Sequence, residues 1–368
     1  MEPNPAPEKD EGTSVNEEAP KTDILHKIIS IRNMSKVIPI LSNSFRLEQV
    51  FRGEKKIADQ IAKKPEYEDE DPTIDERVTK IWAKKIKYPM SDDHNLARVA
   101  QYYQVEQEGS NLAKEEYLEF LSSLFLEIHS DEKEFAETIR GLKREIQTRP
   151  FAEIVQLLKY PKFPEGTEDP LTILADMPFP IYVTTSYHDF LERALIKANK
   201  TPRTQVIMWE EGGEPESARD QDLDPNLDPV TNPVVYHLFG TESDPGSLVL
   251  SEDDYLKFLV TVASDHDGQN PIVPMGLKRA LSSSHLVLMG YHLRDWDFRV
   301  LFRFILNCRN SRKGELARKG IFILLKPKKS DPHLLDYLKQ YFGMKQFEIE
   351  WDSTENFAMR LWNVWKGQ

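Results

Sequence analysis

The sequence predicts an α/β protein: a mainly parallel sheet with helices on both faces and a helical insertion after the first strand region. Three observations predict it. Short runs rich in Val, Ile, Leu, Phe and Tyr alternate with stretches whose apolar residues recur at helical spacing, the order that successive strand–crossover–strand units require. Runs such as His285-Leu-Val-Leu-Met-Gly-Tyr291 are apolar on both sides, which suits strands covered on two faces. The 368 residues, 39% of them hydrophobic, are enough chain to bury a large core.

In chain order, residues 1 to 22 are rich in Glu, Pro, Asn and Asp without periodicity, and are expected to be a disordered acidic tail ahead of a domain spanning 23–368. Lys36-Val-Ile-Pro-Ile-Leu41 is the first strand. It runs into Ser42-Asn-Ser-Phe-Arg46 and then Leu47, Val50 and Phe51 at helical spacing. A strand that delivers small polar residues to a helix start can cradle a phosphate, or its serines can simply cap the helix. Residues 75–165 change pattern to successive long helices marked by Val78, Ile81 and Trp82, then Leu96 and Val99, then Tyr117, Phe120 and Leu124, then Ile139 and Leu142. The proline-rich stretch Lys159 to Pro170 closes this insertion as a loop.

Ile181-Tyr-Val-Thr-Thr185 is the next strand, and Ser186-Tyr-His-Asp-Phe-Leu-Glu192 turns it into a helix carried by Phe190, Leu191, Ala194 and Leu195. Strands at Thr204–Trp209 and Val234–Gly240 flank an acidic, proline-rich loop from Glu210 to Pro233. Ser251 is an N-cap with Asp254 at the capping-box position of a helix bearing Tyr255, Phe258 and Val262. The strand 285–291 leads into a helix bearing Trp296, Phe298, Leu301 and Ile305. Strands at Gly320–Leu325 and Phe347–Trp351, a helix near Leu334 to Tyr341 and a last helix from Ser353 complete the alternation.

Lys+Arg 48 against Asp+Glu 61 gives a formal charge of −13, so the overall field repels phosphate backbones and nucleic acid is not an expected partner. No run approaches about eighteen apolar residues and the N-terminus lacks the basic and apolar regions of an export signal, so a cytoplasmic protein without membrane contact is expected. The single cysteine, Cys308, excludes disulfides and any four-thiolate zinc ribbon within the chain, and no metal is expected.

Four segments, in order, resemble the sirtuin-like domain family of bacterial anti-phage and conflict systems, relatives of protein deacylases that bind and often hydrolyse NAD⁺. Val37-Ile-Pro-Ile-Leu-Ser-Asn-Ser44 matches the glycine-rich nucleotide loop. Tyr182-Val-Thr-Thr-Ser-Tyr-His-Asp-Phe-Leu-Glu192 matches the motif T-T-N-Y-D-D-L-L-E. Tyr236-His-Leu-Phe-Gly240 with Ser247 to Tyr255 matches the catalytic-histidine motif, and Leu286 to Arg299 the late nucleotide-edge motif. The resemblance implies a Rossmann-like sheet, an NAD⁺ site at the carboxyl ends of its strands, and cleavage of the nicotinamide–ribose bond without a metal. Lacking a zinc ribbon, the chain falls away from the deacylase branch and toward the NAD⁺ hydrolases.

Several positions depart from the family pattern. Ser42-Asn43-Ser44 replaces a Gly-Ala-Gly type turn, Ser186 stands at the catalytic asparagine, and His188 replaces the first aspartate while Asp189 matches the second. Phe239 stands at the family histidine, with His237 two residues earlier and expected on the same strand face. Two expectations follow. In the first, an NAD⁺ hydrolase-type defence effector uses His237 or His188 as base and Ser186 with Asp189 on the ribose. Its cofactor site would be Ser42, Asn43, Ser44, Arg46, Thr184, Thr185, Gly290 and His292. In the second, the same pocket binds NAD or a related nucleotide without cleaving it, as a sensor or assembly module. By the same analogy the chain is expected to form a homo-oligomer or to work with a separate STAND-type NTPase partner. Asp295 and Asp297, beside Trp296 at a helix start, fit helix capping first and ligand contact second.

Overall fold

The structure is a computed structural model that describes residues 36–52, 72–108, 111–209, 228–264, 272–310, 320–325 and 332–367. The expected acidic tail of residues 1–22 and the loop residues 210–227 lie outside them. Seven strands, β1 (Val37–Leu41), β2 (Ile181–Thr184), β3 (Arg203–Val206), β4 (Val234–His237), β5 (His285–Met289), β6 (Gly320–Leu324) and β7 (Phe347–Trp351), form one sheet in the order β3-β4-β2-β1-β5-β6-β7. Every neighbouring pair is parallel. The expected α/β class with a Rossmann-like parallel sheet is therefore the observed one.

Helix α1 (Ser44–Val50) leaves β1 directly. Among the described residues the helices of the insertion are α2 (Ile74–Lys85), α3 (Leu96–Glu106), α4 (Leu112–Ile128), α5 (Ala136–Glu145) and α6 (Phe151–Leu157), and α7 (Pro170–Asp176) brings the chain back to β2. Helix α8 (Phe190–Lys197) follows β2, α9 (Glu252–Ser264) and α10 (Met275–Ser283) follow β4, and α11 (Trp296–Asn310), α12 (Pro332–Gly343) and α13 (Thr354–Lys366) follow β5, β6 and β7 in turn. Among the described residues, no helix is long and apolar enough to cross a membrane.

Alternation along the strands divides the core into two layers. Val37, Leu41, Tyr182, Val235, Val287 and Ile321 face the insertion helices together with α7, α8 and α13, whereas Ile38, Ile40, Val183, Tyr236, Leu288 and Phe322 face α9 to α12. Pro39 lies in the central strand β1, where a missing N–H would normally break a ladder. It is tolerated because the register of β1 with β2 begins only at Ile40, so Pro39 sits beside the part of the strand that β2 does not reach.

The insertion docks through aromatic packing. Trp82 of α2 lies 4.8 Å from the Tyr117 ring of α4, and Phe51, Phe125 and Phe151 meet at 5.9 to 6.2 Å where α1, α4 and α6 converge. Two helix starts are fixed reciprocally. Thr73 accepts from the Glu76 backbone N–H while Glu76 accepts from that of Thr73, and Asp254 and Ser251 make the same exchange at α9, as their spacing predicts. Lys114 of α4 adds a buried ion pair to Asp254 at 3.2 Å.

From β1 the sheet extends through β2, β4 and β3 on one side, the chain reaching the edge strand β3 before returning to β4, and through β5, β6 and β7 on the other, so the direction of winding reverses at β1. In open parallel sheets a crevice opens at the carboxyl ends of the strands at such a reversal. The insertion is placed to roof that crevice.

Candidate functional site

Beyond β1, the backbone is held by its own side chains. The Ser42 hydroxyl accepts the Phe45 N–H and donates to the Gly290 carbonyl, so Ser42 caps the start of α1. Gly290 itself has φ +79°, and a Cβ there would lie 2.7 Å from the Phe45 Cβ and the Ser42 Oγ. The glycine therefore lets β5 approach α1 closely, and the space is filled by protein. Gly290→Ala is expected to destabilise the fold by about 2 kcal/mol or more, through left-handed strain and overpacking together, and a urea melt measures it.

The turn after β2 is similarly self-contained. The Thr184 hydroxyl donates to the Leu41 carbonyl and accepts the Ser186 N–H. Ser186 Oγ donates to Asn43 Oδ1 at 3.2 Å, and Asn43 Nδ2 donates to the Tyr187 hydroxyl at 3.0 Å, so Asn43 staples the first loop to the second. Thr185 faces the Tyr291 hydroxyl at 3.3 Å.

A cavity of about 250 Å³ opens where these loops meet, at the carboxyl ends of β1, β2, β4 and β5. Asn43, Ser44 and Thr185 line its sheet side, Thr73, Asp75 and Glu76 of the insertion line its roof, and Phe239, Tyr255 and Trp296 make an aromatic wall. Tyr255 and Trp296 stack at 6.1 Å with an interplanar angle of 23°. Arg294, Asp295 and Asp297 complete the rim. The volume falls below the ~300–1,000 Å³ usual for small-molecule pockets.

The charge of this cavity is its distinctive feature. Ser44 Oγ donates to Asp75 Oδ2, while Asp75 Oδ1 is buried with no hydrogen-bond partner among the described residues. Burial, reinforced by Glu48 and Asp295, pushes the Asp75 carboxyl up to about 7. Asp295 is pushed up to about 6 by burial, and Asp297 well above the usual carboxylate range by burial and by Asp295 beside it. Burial would lower His292, but its 2.8 Å contact with Glu48 outweighs that and raises it to about 9. Arg294 is 3.4 Å from Glu76. Among the described residues no set of three or more His, Cys, Asp or Glu side chains is placed to share a metal ion.

Three of the twelve site residues expected from sequence, Asn43, Ser44 and Thr185, line the cavity. Ser42, Thr184 and Gly290 lie behind it in the loop framework described above, and Ser186 lies behind Asn43. Arg46 turns away and forms a two-pronged pair with Asp169 at 2.9 Å. His292 is engaged with Glu48. Asp189 pairs with Arg193 one helical turn on, at 2.8 Å. His188 has a fully buried side chain packed against Phe151, with Nδ1 3.0 Å from Glu242.

His237 departs furthest from expectation. It is 1% exposed, with Nδ1 donating to the Ser186 carbonyl and Nε2 to Glu192 of α8, each at 2.7 Å. Burial alone would lower its pKa, yet Glu192 raises it above the ordinary 6.5, and His237 in turn holds Glu192 below its ordinary value against burial. His237 and Phe239 do not share a strand face, because β4 and its regular pleat end at His237. Phe239 instead packs edge-on against Tyr255 and Phe258 of α9, at 5.5 and 5.1 Å. The cavity thus meets a phenyl ring, and the imidazole lies behind the loop.

The acids of the roof and rim carry less local signal in the sequence than the loop residues do. Asp295 and Asp297 carried a signal, since Asp-Trp-Asp stands at a strand-to-helix turn, but capping explained them equally well. Asp297 does accept the Phe298 N–H, and it lines the cavity as well. Asp75 gave no local signal, because only docking of the insertion brings it to Ser44.

Residues 180–343 match the family model of the SIR2-like domain. The match supports a sirtuin-like domain in this chain and, at the level of the family, an NAD-related function. It covers β2 to β6 and α8 to α12, hence three of the four loops around the cavity, while β1 and the insertion lie outside it. No curated protein matches the chain.

Proposed function

We propose that the cleft binds NAD⁺ or a related nucleotide and that this chain acts as a nucleotide-sensing or assembly module, in the defence setting its family resemblance implies, without a histidine base. One observation carries the reading. Both ring nitrogens of His237 are engaged by protein, Nδ1 by the Ser186 carbonyl and Nε2 by Glu192, so neither is directed at a ligand in the cleft, while the position nearest the cleft is phenylalanine. Calorimetric titration with NAD⁺ and ADP-ribose, paired with an overnight nicotinamide-release assay, tests it. Heat of binding to NAD⁺ with no release is expected, and Phe239→His is expected to gain release. Release by the unaltered chain at a rate typical of enzymes would overturn it.

A second reading, slow NAD⁺ hydrolysis, is favoured by Asp75. Its carboxyl titrates at about 7, lines the cavity and is hydrogen-bonded by Ser44, which suits a group that accepts a proton from an attacking water near neutral pH. Under that reading Asp75→Asn abolishes whatever release is detected.

A further inference from the structure

Helix α12 carries more apolar surface than the sheet covers. Its core side is Phe342, buried among the Phe298, Phe302 and Phe322 rings at 4.9 to 6.3 Å, with half-buried Leu338 beside it. On the neighbouring side Leu334, Tyr337, Tyr341 and Met344 are all exposed, Tyr337 at 59% and Met344 at 74%. The Met344 N–H still donates to the Gln340 carbonyl at 3.0 Å, so the helical course reaches it. At about 100° per residue these four side chains fall within an arc of about 80°, and with the core side they make the helix apolar over about half its circumference. Exposed apolar residues standing singly are ordinary, whereas a continuous stripe along one helix marks a contact surface.

Two properties of the stripe specify what meets it. Its residues are spaced by 3, 4 and 3 positions, an interval pattern that reads the same in both directions. A second α12 laid antiparallel across it sets Leu334 against Met344 of the other copy and Tyr337 against Tyr341, and the rotation makes each contact twice, as an isologous two-fold interface requires. Tyr337 and Tyr341 already stack on one another at 6.1 Å with an interplanar angle of 22°, so the two-fold gathers four rings. The stripe is also free of charge, since Asp336 and Lys339 lie outside its arc. A face without charge offers nothing to an ionic partner of a chain carrying −13, and it lets two such chains touch without setting acid against acid.

We infer that α12 is a dimerisation surface, pairing antiparallel with its copy about a two-fold axis at the middle of the helix. The inference stands apart from the nucleotide reading, because no residue of α12 lines the cleft. Two helices of about 18 Å in contact make an interface at the small end of the specific range, below about 1,200 Å² in total, so the dimer is reversible and its dissociation constant micromolar.

Sedimentation velocity of the full chain from about 1 to about 200 µM tests it. A monomer–dimer equilibrium is expected, and it should strengthen as salt rises from about 50 to about 500 mM, because salt screens the repulsion between two chains of charge −13. Tyr337→Glu and Tyr341→Lys are each expected to weaken the dimer at least about tenfold, since symmetry enters each change twice. An unaltered urea midpoint for Tyr337→Glu separates lost pairing from lost folding. Mixing the two variants is expected to recover association, because the introduced acid of one chain then meets the introduced amine of the other, a recovery that a merely structural loss would not show. A monomer at every concentration, a dimer that both substitutions leave intact, or variants that stay apart on mixing overturns the inference. A monomer that floats with phosphatidylglycerol vesicles gives the stripe to a lipid surface and overturns it too. None of these outcomes bears on nucleotide binding in the cleft.

Discussion

His237→Ala is expected to cost about 3–5 kcal/mol of folding stability and to leave nucleotide binding unchanged in the fraction that folds. The size comes from what the substitution leaves behind. Glu192 is 11% exposed, held below its ordinary pKa by His237, and without the imidazole is left with the 3.0 Å hydrogen bond from Thr204 and a backbone N–H. Removing one member of such a pair strands a buried charge, and the Ser186 carbonyl loses its 2.7 Å donor as well. The effect depends on pH in a defined direction. The folded pKa of His237 lies above 6.5, so its contribution is complete below 6.5 and is lost as pH rises through the folded value. Urea midpoints of the two proteins should therefore differ most near pH 6 and converge under alkaline conditions. His237→Gln, which can still reach both partners through its amide, is expected to recover part of the loss. A variant of unaltered stability that nevertheless loses ligand binding would return His237 to the cleft and remove the main support for a non-hydrolytic module.

The same residue marks how much the sequence could say. All seven strands were legible, because each is a short apolar run bounded by turn residues and needs no knowledge of its neighbours. Ser251 with Asp254 was legible for the same reason: the capping box is a contact over three residues. The histidine position was not, since the direction of a side chain past a strand's end depends on where the pleat stops, and β4 stops at His237 when a pattern of apolar residues runs on to Phe239. Arg46 shows a second limit. A basic residue just after a nucleotide-type loop looks available until the loop before α7 brings Asp169 against it, 123 residues away in sequence. Asp75 shows a third: its insertion is ordinary amphipathic helix, and the chemistry arises only when docking buries an acid beside Ser44.

Asp75→Asn is expected to make the protein more stable, by about 4 kcal/mol at pH 8. An aspartate of ordinary pKa 3.8 that titrates at about 7 in the fold binds its proton more tightly when folded, so stability falls as pH rises between those values and the whole penalty is present above the upper one. At about 1.36 kcal/mol per pKa unit the penalty is roughly 4 kcal/mol at pH 8 and less than half of that at pH 5. Asparagine keeps an oxygen to accept from Ser44 and removes the charge, so denaturant midpoints should rise strongly at pH 8 and little at pH 5. Loss of the Asp75 charge also withdraws one support of the raised His292, which trims the gain. No rise at pH 8 would mean that the carboxylate is already paired in solution. The penalty falls on an acid that lines the wall of the cleft, the kind of place where stability is given up for function.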